Sequence, residues 1–364
     1  MSKAVRGSAI GLGLAAAVAL LGLGTAAAQD GNGSIVAWGW NDYGQCNVPT
    51  PNTNFVALAA GYYSSIGLKA NGSIVKWATG DPAPLPNSGF VDVAAGTYDW
   101  LGLKGDGSIV TWGQYFADVP LPNSDFVAAA GGYQSSLGLK ANGSVVAWGD
   151  NFYHQSDVPP PNTEFVAVAA GAGDCFALKI DGSIVAWGHN SYGQCDVPAP
   201  NTGFVAVAGG PYHSVGLRSD GSVVAWGRND YGQCNVPAPN TGFVAVAVGD
   251  FHSLGLKADG SIVAWGRNNY GQCNVPSPNA GFVAIAGGGF HSLGLKGRPH
   301  CAGDMDCNGR ITFADIDRFI AALAGESAWT HAPCPWRNGD CGGDLDVTFA
   351  DIDPFVALLG TTCP

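Results

Sequence analysis

Charge is scarce in this chain. Charged residues make up 12% of its 364 positions, about half the usual share of roughly 25%. Only 16 are Lys or Arg, against 28 Asp or Glu, for a net charge of −12. So few cations on an acidic chain disfavour a phosphate backbone, which excludes nucleic acid as an expected partner. Residues 33–297 contain no apolar spacing of helical period with caps, and this excludes helical repeats. Neither Gly-x-Ser-x-Gly, His-Glu-x-x-His nor a phosphate-binding loop occurs, and no Cys-x-x-Cys or Cys/His set suits zinc. None of these catalytic motifs is present, so a non-catalytic role is expected.

What remains is glycine (55 residues) and a hydrophobic fraction of 46%, a composition for tightly turned β-structure. At the N-terminus Lys3 and Arg6 precede an apolar run from Ile10 to Gly24, and Ala26 and Ala28 are the small residues of a cleavage site after Ala28. Residues 1–28 are thus expected to be a signal peptide, residues 29–297 a repeat domain and residues 298–364 a second module. The mature chain is expected to be secreted or at the cell surface, or in the periplasm, with no membrane span after cleavage.

Seven tryptophans, Trp38, Trp77, Trp112, Trp148, Trp187, Trp226 and Trp265, mark copies of one pattern at spacings of 39, 35, 36, 39, 39 and 39 residues. A period of this size implies a solenoid or a propeller. The best-kept copy runs from Gly221 to Asp259, and each copy predicts about four short strands. Ser222–Trp226 and Ser253–Lys257 are apolar runs of strand length. Phe243–Val248, rich in Ala and Val, suits a crowded axis. Asp259-Gly260 predicts a hairpin turn with both residues at positive φ, and Pro237 and Pro239 break the chain between blades. Consecutive apolar positions need cover on both faces. Stacked blades provide it, which makes the seven Trp core residues. The repeat starts on the outer strand Ser34–Trp38 and ends on the pair Phe282–Ala286 and Ser292–Lys296. The first strand is therefore expected to complete the last blade and close a seven-bladed, all-β propeller. Cys46, Cys195, Cys234 and Cys273 share one repeat position and, with Cys175, read as small buried hydrophobes. His213, His252 and His291 share another and read as structural hydrogen-bonders.

Alternating strand directions put the turn before His-Ser-Leu and the turn after Trp-Gly on one mouth. The first carries Tyr63, Tyr98, Tyr212, Phe251 and Phe290. The second carries Trp40, Tyr43, Phe116, Phe152, Tyr153, Tyr192, Tyr231 and Tyr270. The other mouth carries Asn-Gly, Asp-Gly and Pro-Asn turns. Gathered aromatics offer large rigid area at low entropic cost, so the aromatic mouth is the expected protein-binding face. Trp40, Trp100 and Phe152, which break the repeat, are expected to make contact. Capping of the blades is the alternative role for the repeated Tyr192, Tyr231 and Tyr270.

Val-Ala-Trp-Gly, Tyr-Gly-Gln and Val-Ala-Gly-Gly followed by His-Ser-Leu resemble the regulator-of-chromosome-condensation repeat over residues 33–297. Within that family the short blades, with Gly-Gln followed by Val-Pro, are similar to the secreted seven-bladed β-lactamase inhibitory type. That resemblance implies a protein target held by one aromatic-rich mouth. The nuclear exchange factor of the family has longer blades, and no insertion here could form its nucleotide-displacing wedge, so guanine nucleotide exchange is not expected.

The tail differs. Asp304, Asp306, Asn308, the Arg310 carbonyl and Asp315 stand at loop positions 1, 3, 5, 7 and 12, with Gly309 at position 6. This is EF-hand spacing, suited to the six to eight oxygens of Ca²⁺. A copy 36 residues on offers Asp340, Asp344, Asp346 and Asp351, with Gly342 and Leu345 departing from the pattern. Ile316 to Leu323 predicts a helix after the first loop, giving a small α-helical module with calcium as its cofactor. Two loop–helix units without entering helices resemble a type I dockerin over residues 301–364. The resemblance implies a cohesin-like or cell-surface partner touched at Phe313, Ala314, Phe349 and Ala350. Cys301, Cys307, Cys334, Cys341 and Cys363 crowd this tail, where secretion permits disulfides. The whole reads as a secreted, non-catalytic protein-binding propeller with an unknown extracellular partner and a calcium-stabilised tail for attachment. A structural surface repeat protein and a component of a polysaccharide-degrading system are the alternatives.

Overall fold

We describe a computed structural model of the protein; the structure describes residues 33–114 and 117–297. Phe116 lies outside the described residues. So do the expected signal peptide, the residues expected to bind calcium (Asp304, Asp306, Asn308, Arg310, Asp315, Asp340, Asp344, Asp346 and Asp351), the expected tail contacts Phe313, Ala314, Phe349 and Ala350, and the tail cysteines.

The first strand is β1 (Ser34–Gly39). Blade 1 follows with β2 (Phe55–Ala60), β3 (Ser64–Lys69) and β4 (Ile74–Ala78), and blade 2 with β5 (Phe90–Ala95), β6 (Asp99–Lys104) and β7 (Ile109–Gly113). Blade 3 has β8 (Phe126–Gly131), β9 (Ser135–Lys140) and β10 (Val145–Gly149). Blade 4 has β11 (Phe165–Ala170), β12 (Asp174–Lys179) and β13 (Ile184–Gly188). Blade 5 has β14 (Phe204–Gly209), β15 (His213–Arg218) and β16 (Val223–Gly227), and blade 6 has β17 (Phe243–Val248), β18 (His252–Lys257) and β19 (Ile262–Gly266). Blade 7 is β20 (Phe282–Gly287), β21 (His291–Lys296) and, returning from the start of the chain, β1. β1 pairs antiparallel with β21 in the register Trp38↔Ser292, so the first strand closes the last blade as the phase of the repeat requires.

Each inner strand packs on the next, and β20 packs on β2. A ring of glycines marks the closure. A Cβ on Gly96 would stand 2.3 Å from the Gly132 carbonyl oxygen, and one on Gly132 would stand 2.5 Å from that of Gly171. The series continues through Gly210, Gly249 and Gly288 back to Gly61, whose carbonyl oxygen lies 2.7 Å from the Cβ position of Gly288. Seven backbones approach each other so closely around the axis that only hydrogen fits.

The blades have three strands, where the sequence suggested about four. After β16 the chain turns through Arg228 to Pro237 without pairing, because Pro237 and Pro239 lack the N–H groups a further strand would need. A side chain does the edge's work instead. The Asn240 amide accepts from the Val223 N–H and donates to the Val223 carbonyl, both at 2.8 Å. Asn52, Asn87, Asn123, Asn162, Asn201 and Asn279 repeat this clamp. The Asp259-Gly260 turn also differs from expectation. Only Gly260 has positive φ, at 76°. Asp259 stays in the ordinary region, because its carboxylate accepts from the Ser261 N–H and hydroxyl at 2.9 and 2.6 Å.

All seven repeat tryptophans are core, 5–8% exposed. Five of them stitch blades together. Trp38, Trp77, Trp187, Trp226 and Trp265 donate their indole N–H to the main-chain carbonyls of Gln272, Gln45, Gln155, Gln194 and Gln233 at 2.8–2.9 Å. Middle-strand serines reach the same carbonyls, as Ser253 does with Gln233 at 2.9 Å.

Candidate functional site: an aromatic mouth

Three strands leave the outer strand ending where the first turn opens, so both aromatic segments meet at one mouth. The contact is direct. Trp40 N–H donates to the Phe290 carbonyl at 2.9 Å, Arg228 N–H to that of Tyr212 at 2.9 Å, and Arg267 N–H to that of Phe251 at 2.8 Å.

The rings form a belt. Tyr192 meets Tyr212 at 5.4 Å between centroids, Tyr212 stacks on Phe251 at 4.5 Å, and Phe251 stacks on Phe290 at 6.3 Å. Trp40 touches Phe290, Tyr270, Tyr43 and Tyr63 at 5.3–5.9 Å. From Tyr63 the belt continues to Tyr98 (6.3 Å) and Tyr133 (6.0 Å). At the other end His189 links Tyr192 to Tyr153, which carries Phe152. Tyr63, Tyr98, Tyr212, Phe251, Phe290 and Trp40 are half-buried as an inner tier. Tyr43, Tyr153, Tyr192, Tyr231 and Tyr270 stand outside them, 42–49% exposed, and Phe152 is 77% exposed. Among the described residues the expected aromatics therefore gather at one mouth, with the exception of Trp100. Trp100 is 1% exposed and belongs to the core. It sits on β6 at the position Ser253 occupies on β18, facing the loop that follows blade 1. That loop is short and carries no Gln, so the indole fills its place.

The sequence reading missed Tyr62, Tyr133, Arg228, Arg267 and Asp250. Arg228 and Arg267 stand at the repeat position of Trp40. Arg228 lies over Tyr192, Tyr212 and Phe251 at 5.1–5.6 Å, and Arg267 over Tyr231, Phe251, Tyr270 and Phe290 at 5.1–6.0 Å. Both tie the tiers together by cation–π attraction. Asp250 is 7% exposed at the axis. Burial pushes its carboxyl up to about 8, with nearby Arg267 opposing the shift.

Beneath the mouth, His213, His252 and His291 are fully buried, and each ring Nε2 meets a serine hydroxyl of the next blade: Ser253 at 2.8 Å, Ser292 at 3.0 Å and Ser65 at 2.9 Å. Burial lowers their pKa values to about 3, 4 and 3, so these imidazoles are neutral near pH 7. Of the propeller cysteines, all free, Cys175 is buried. The other four are half-buried rather than buried, and each thiol points at a carbonyl six residues back: Trp40, His189, Arg228 or Arg267, at 3.2–3.4 Å. Burial raises them to about 11 or 12, which keeps the thiols protonated and unreactive. No group of three His, Cys, Asp or Glu suited to a metal occurs among the described residues.

The sequence profile of the regulator of chromosome condensation (RCC1) repeat matches residues 126–155, 165–194, 204–233 and 243–272, each span running from an inner strand through the loop after Trp-Gly. Blades 3 to 6 carry RCC1 repeats. Among solved structures, Prp20p from Saccharomyces cerevisiae is similar with a TM-score of 0.64 and 17% identity, over 77% of this chain and 93% of that one. Human WBSCR16 follows at 0.57 and 16%, over 73% and 99%. The Physcomitrella patens receptor kinase CR4 ectodomain gives 0.54 and 23%, over 63% and 66%. At these identities the likeness is one of fold: an RCC1-like propeller. A search of curated protein sequences gave no match.

Proposed function

We propose that the protein is a secreted, non-catalytic binding propeller that docks a protein on its aromatic mouth. The observation that supports this most is the belt of rings with its exposed outer tier. Rigid aromatics flanked by Arg are the composition of interface hot spots. Prp20p, which shares the fold, binds Gsp1p and histones. The β-lactamase inhibitory type that the short blades resemble gives the nearer precedent for an extracellular target. The tail is proposed to bind Ca²⁺ through Asp304, Asp306, Asn308, Arg310 and Asp315, with a weaker second loop, and to attach the propeller to an assembly or surface. Capture from the native secretome by the full chain, with calcium and with chelator, tests both parts. One partner should depend on the mouth and survive chelation, and another should be lost with calcium. Capture indifferent to mouth substitutions and to chelation would overturn the proposal.

A further inference from the structure

We propose that the axial end of this mouth is a receptor site for an alkylammonium group, a lysine-type side chain of the docked protein, held by the Asp250 carboxylate beside the Tyr62 ring. The inference rests on the mouth being a protein-docking face. In the turn between inner and middle strands, the residue after the ring glycine is Tyr62, Thr97, Tyr133, Ala172, Pro211 or Gly289 in six blades. All are neutral, so the fold itself requires no carboxylate there, and blade 6 alone has Asp250. Its N–H donates to the Gly289 carbonyl at 3.3 Å, while its carboxylate accepts no hydrogen bond from the described residues. Arg267, the cation it senses, holds its guanidinium over Phe290 and Tyr231 instead.

Asp250, Tyr62, Thr97 and Pro211 line a cavity of about 50 Å³ at the axis. Gly289, which also lines it, lets the Tyr62 ring approach closely, because a Cβ there would lie 3.1 Å from that ring. At roughly 10–15 Å³ for each water-sized group, the cavity takes an ammonium and the start of its stem, and a sugar ring is too large. A buried carboxylate without a partner is unfavourable, and a bound cation relieves it. The adjacent ring face adds attraction.

The test titrates the full chain with butylammonium chloride at pH 9 and fixed ionic strength, with butylguanidinium and sodium butyrate as parallel arms. At that pH the Asp250 carboxyl, raised to about 8, is ionised, and an alkylammonium is still charged. Arg267, Tyr62, Tyr212 and His213 are the titratable groups that face it. Saturable NMR shifts are expected at the Asp250 and Tyr62 amides for butylammonium. Asp250→Asn should weaken binding at least tenfold, and Asp250→Glu should restore it at an unchanged melting temperature. No saturable shift, equal binding by Asp250→Asn, or tighter binding of butylguanidinium would overturn the site. Failure of the probe with mouth-dependent partner capture intact rejects the site alone. Probe binding with capture indifferent to the mouth rejects the docking face instead.

Discussion

In blades 5 to 7 a tryptophan gives its indole N–H to a glutamine carbonyl in the preceding loop, and a buried histidine reaches a serine one blade on. Blades 1 and 2 lack the histidine, although Trp77 of blade 1 keeps its bond to the Gln45 carbonyl. Ser64 and Asp99 stand in its place, the loop after blade 1 lacks Gln, and Trp112 has no acceptor for its buried N–H. Trp100 fills that gap with apolar volume. One packing problem is thus met by polar stitching where the loops are long and, at the short loop after blade 1, by a large ring. The RCC1 profile matches blades 3 to 6 and neither blade 1 nor blade 2. The glycine ring is common to both regions and should be indifferent to the contrast.

The largest expected effect probes that common ring. Gly96→Ala in blade 2 and Gly249→Ala in blade 6 each drive a methyl to within 2.4 Å of a neighbouring carbonyl oxygen and should each cost about 3 kcal/mol or more. Gly203→Ala, with φ of 72° and open space around it, should cost only about 1–2 kcal/mol. Chemical denaturation measures all three. A mild effect at Gly96 with a severe one at Gly249 would mean that the ring is loose on the degenerate side.

The histidine stitching predicts a pH signature confined to blades 5 to 7. His252 has a folded pKa of about 4 against an ordinary value of roughly 6.5. As pH falls below about 6.5 the unfolded chain takes up a proton that the folded chain refuses, so the folded state loses stability. At pH 7.5 His252→Asn should be less stable than the parent, for want of the bond to Ser292. That deficit should narrow by about 1.4 kcal/mol per pH unit between 6.5 and 4. Ser64→Ala in blade 1 should show a deficit that does not change over this range. Denaturant melts at pH 4.5, 5.5, 6.5 and 7.5 decide it, and parallel curves for the two variants would remove the contrast.

A smaller difference is expected at the tryptophans. Trp265→Phe removes the indole N–H that the Gln233 carbonyl accepts and should cost about 1–2 kcal/mol more than Trp112→Phe, which has no such bond to lose. Equal costs would show that the indole bonds add nothing beyond ring volume.

Strand positions, blade closure and the tryptophan core were legible in the sequence, because they rest on apolar periodicity and on the phase of the repeat. Both aromatic segments could be placed on one mouth for the same reason, since strand direction alone decides it. The Gln233-type acceptor was not legible, since it is a main-chain carbonyl that any residue could present. The Asn240 clamp replaces a strand with a side chain, so its segment carried no strand pattern to be corrected. Trp100 was misplaced because it breaks the repeat, yet its alignment with Ser253 on a middle strand buried on both faces already pointed inward. Asp250 gave no signal beyond one acidic residue in a turn, and its burial arises only when seven turns converge on the axis.

The docking face is tested most directly by measuring the affinity of the captured protein for the parent chain, for Trp40→Ala and for Ile180→Ala. Ile180 is an exposed residue of the opposite mouth. Trp40→Ala should weaken binding roughly tenfold or more while melting within a few degrees of the parent, and Ile180→Ala should bind as the parent does. Unchanged binding by Trp40→Ala together with loss in Ile180→Ala would place the interface on the other mouth and contradict the account.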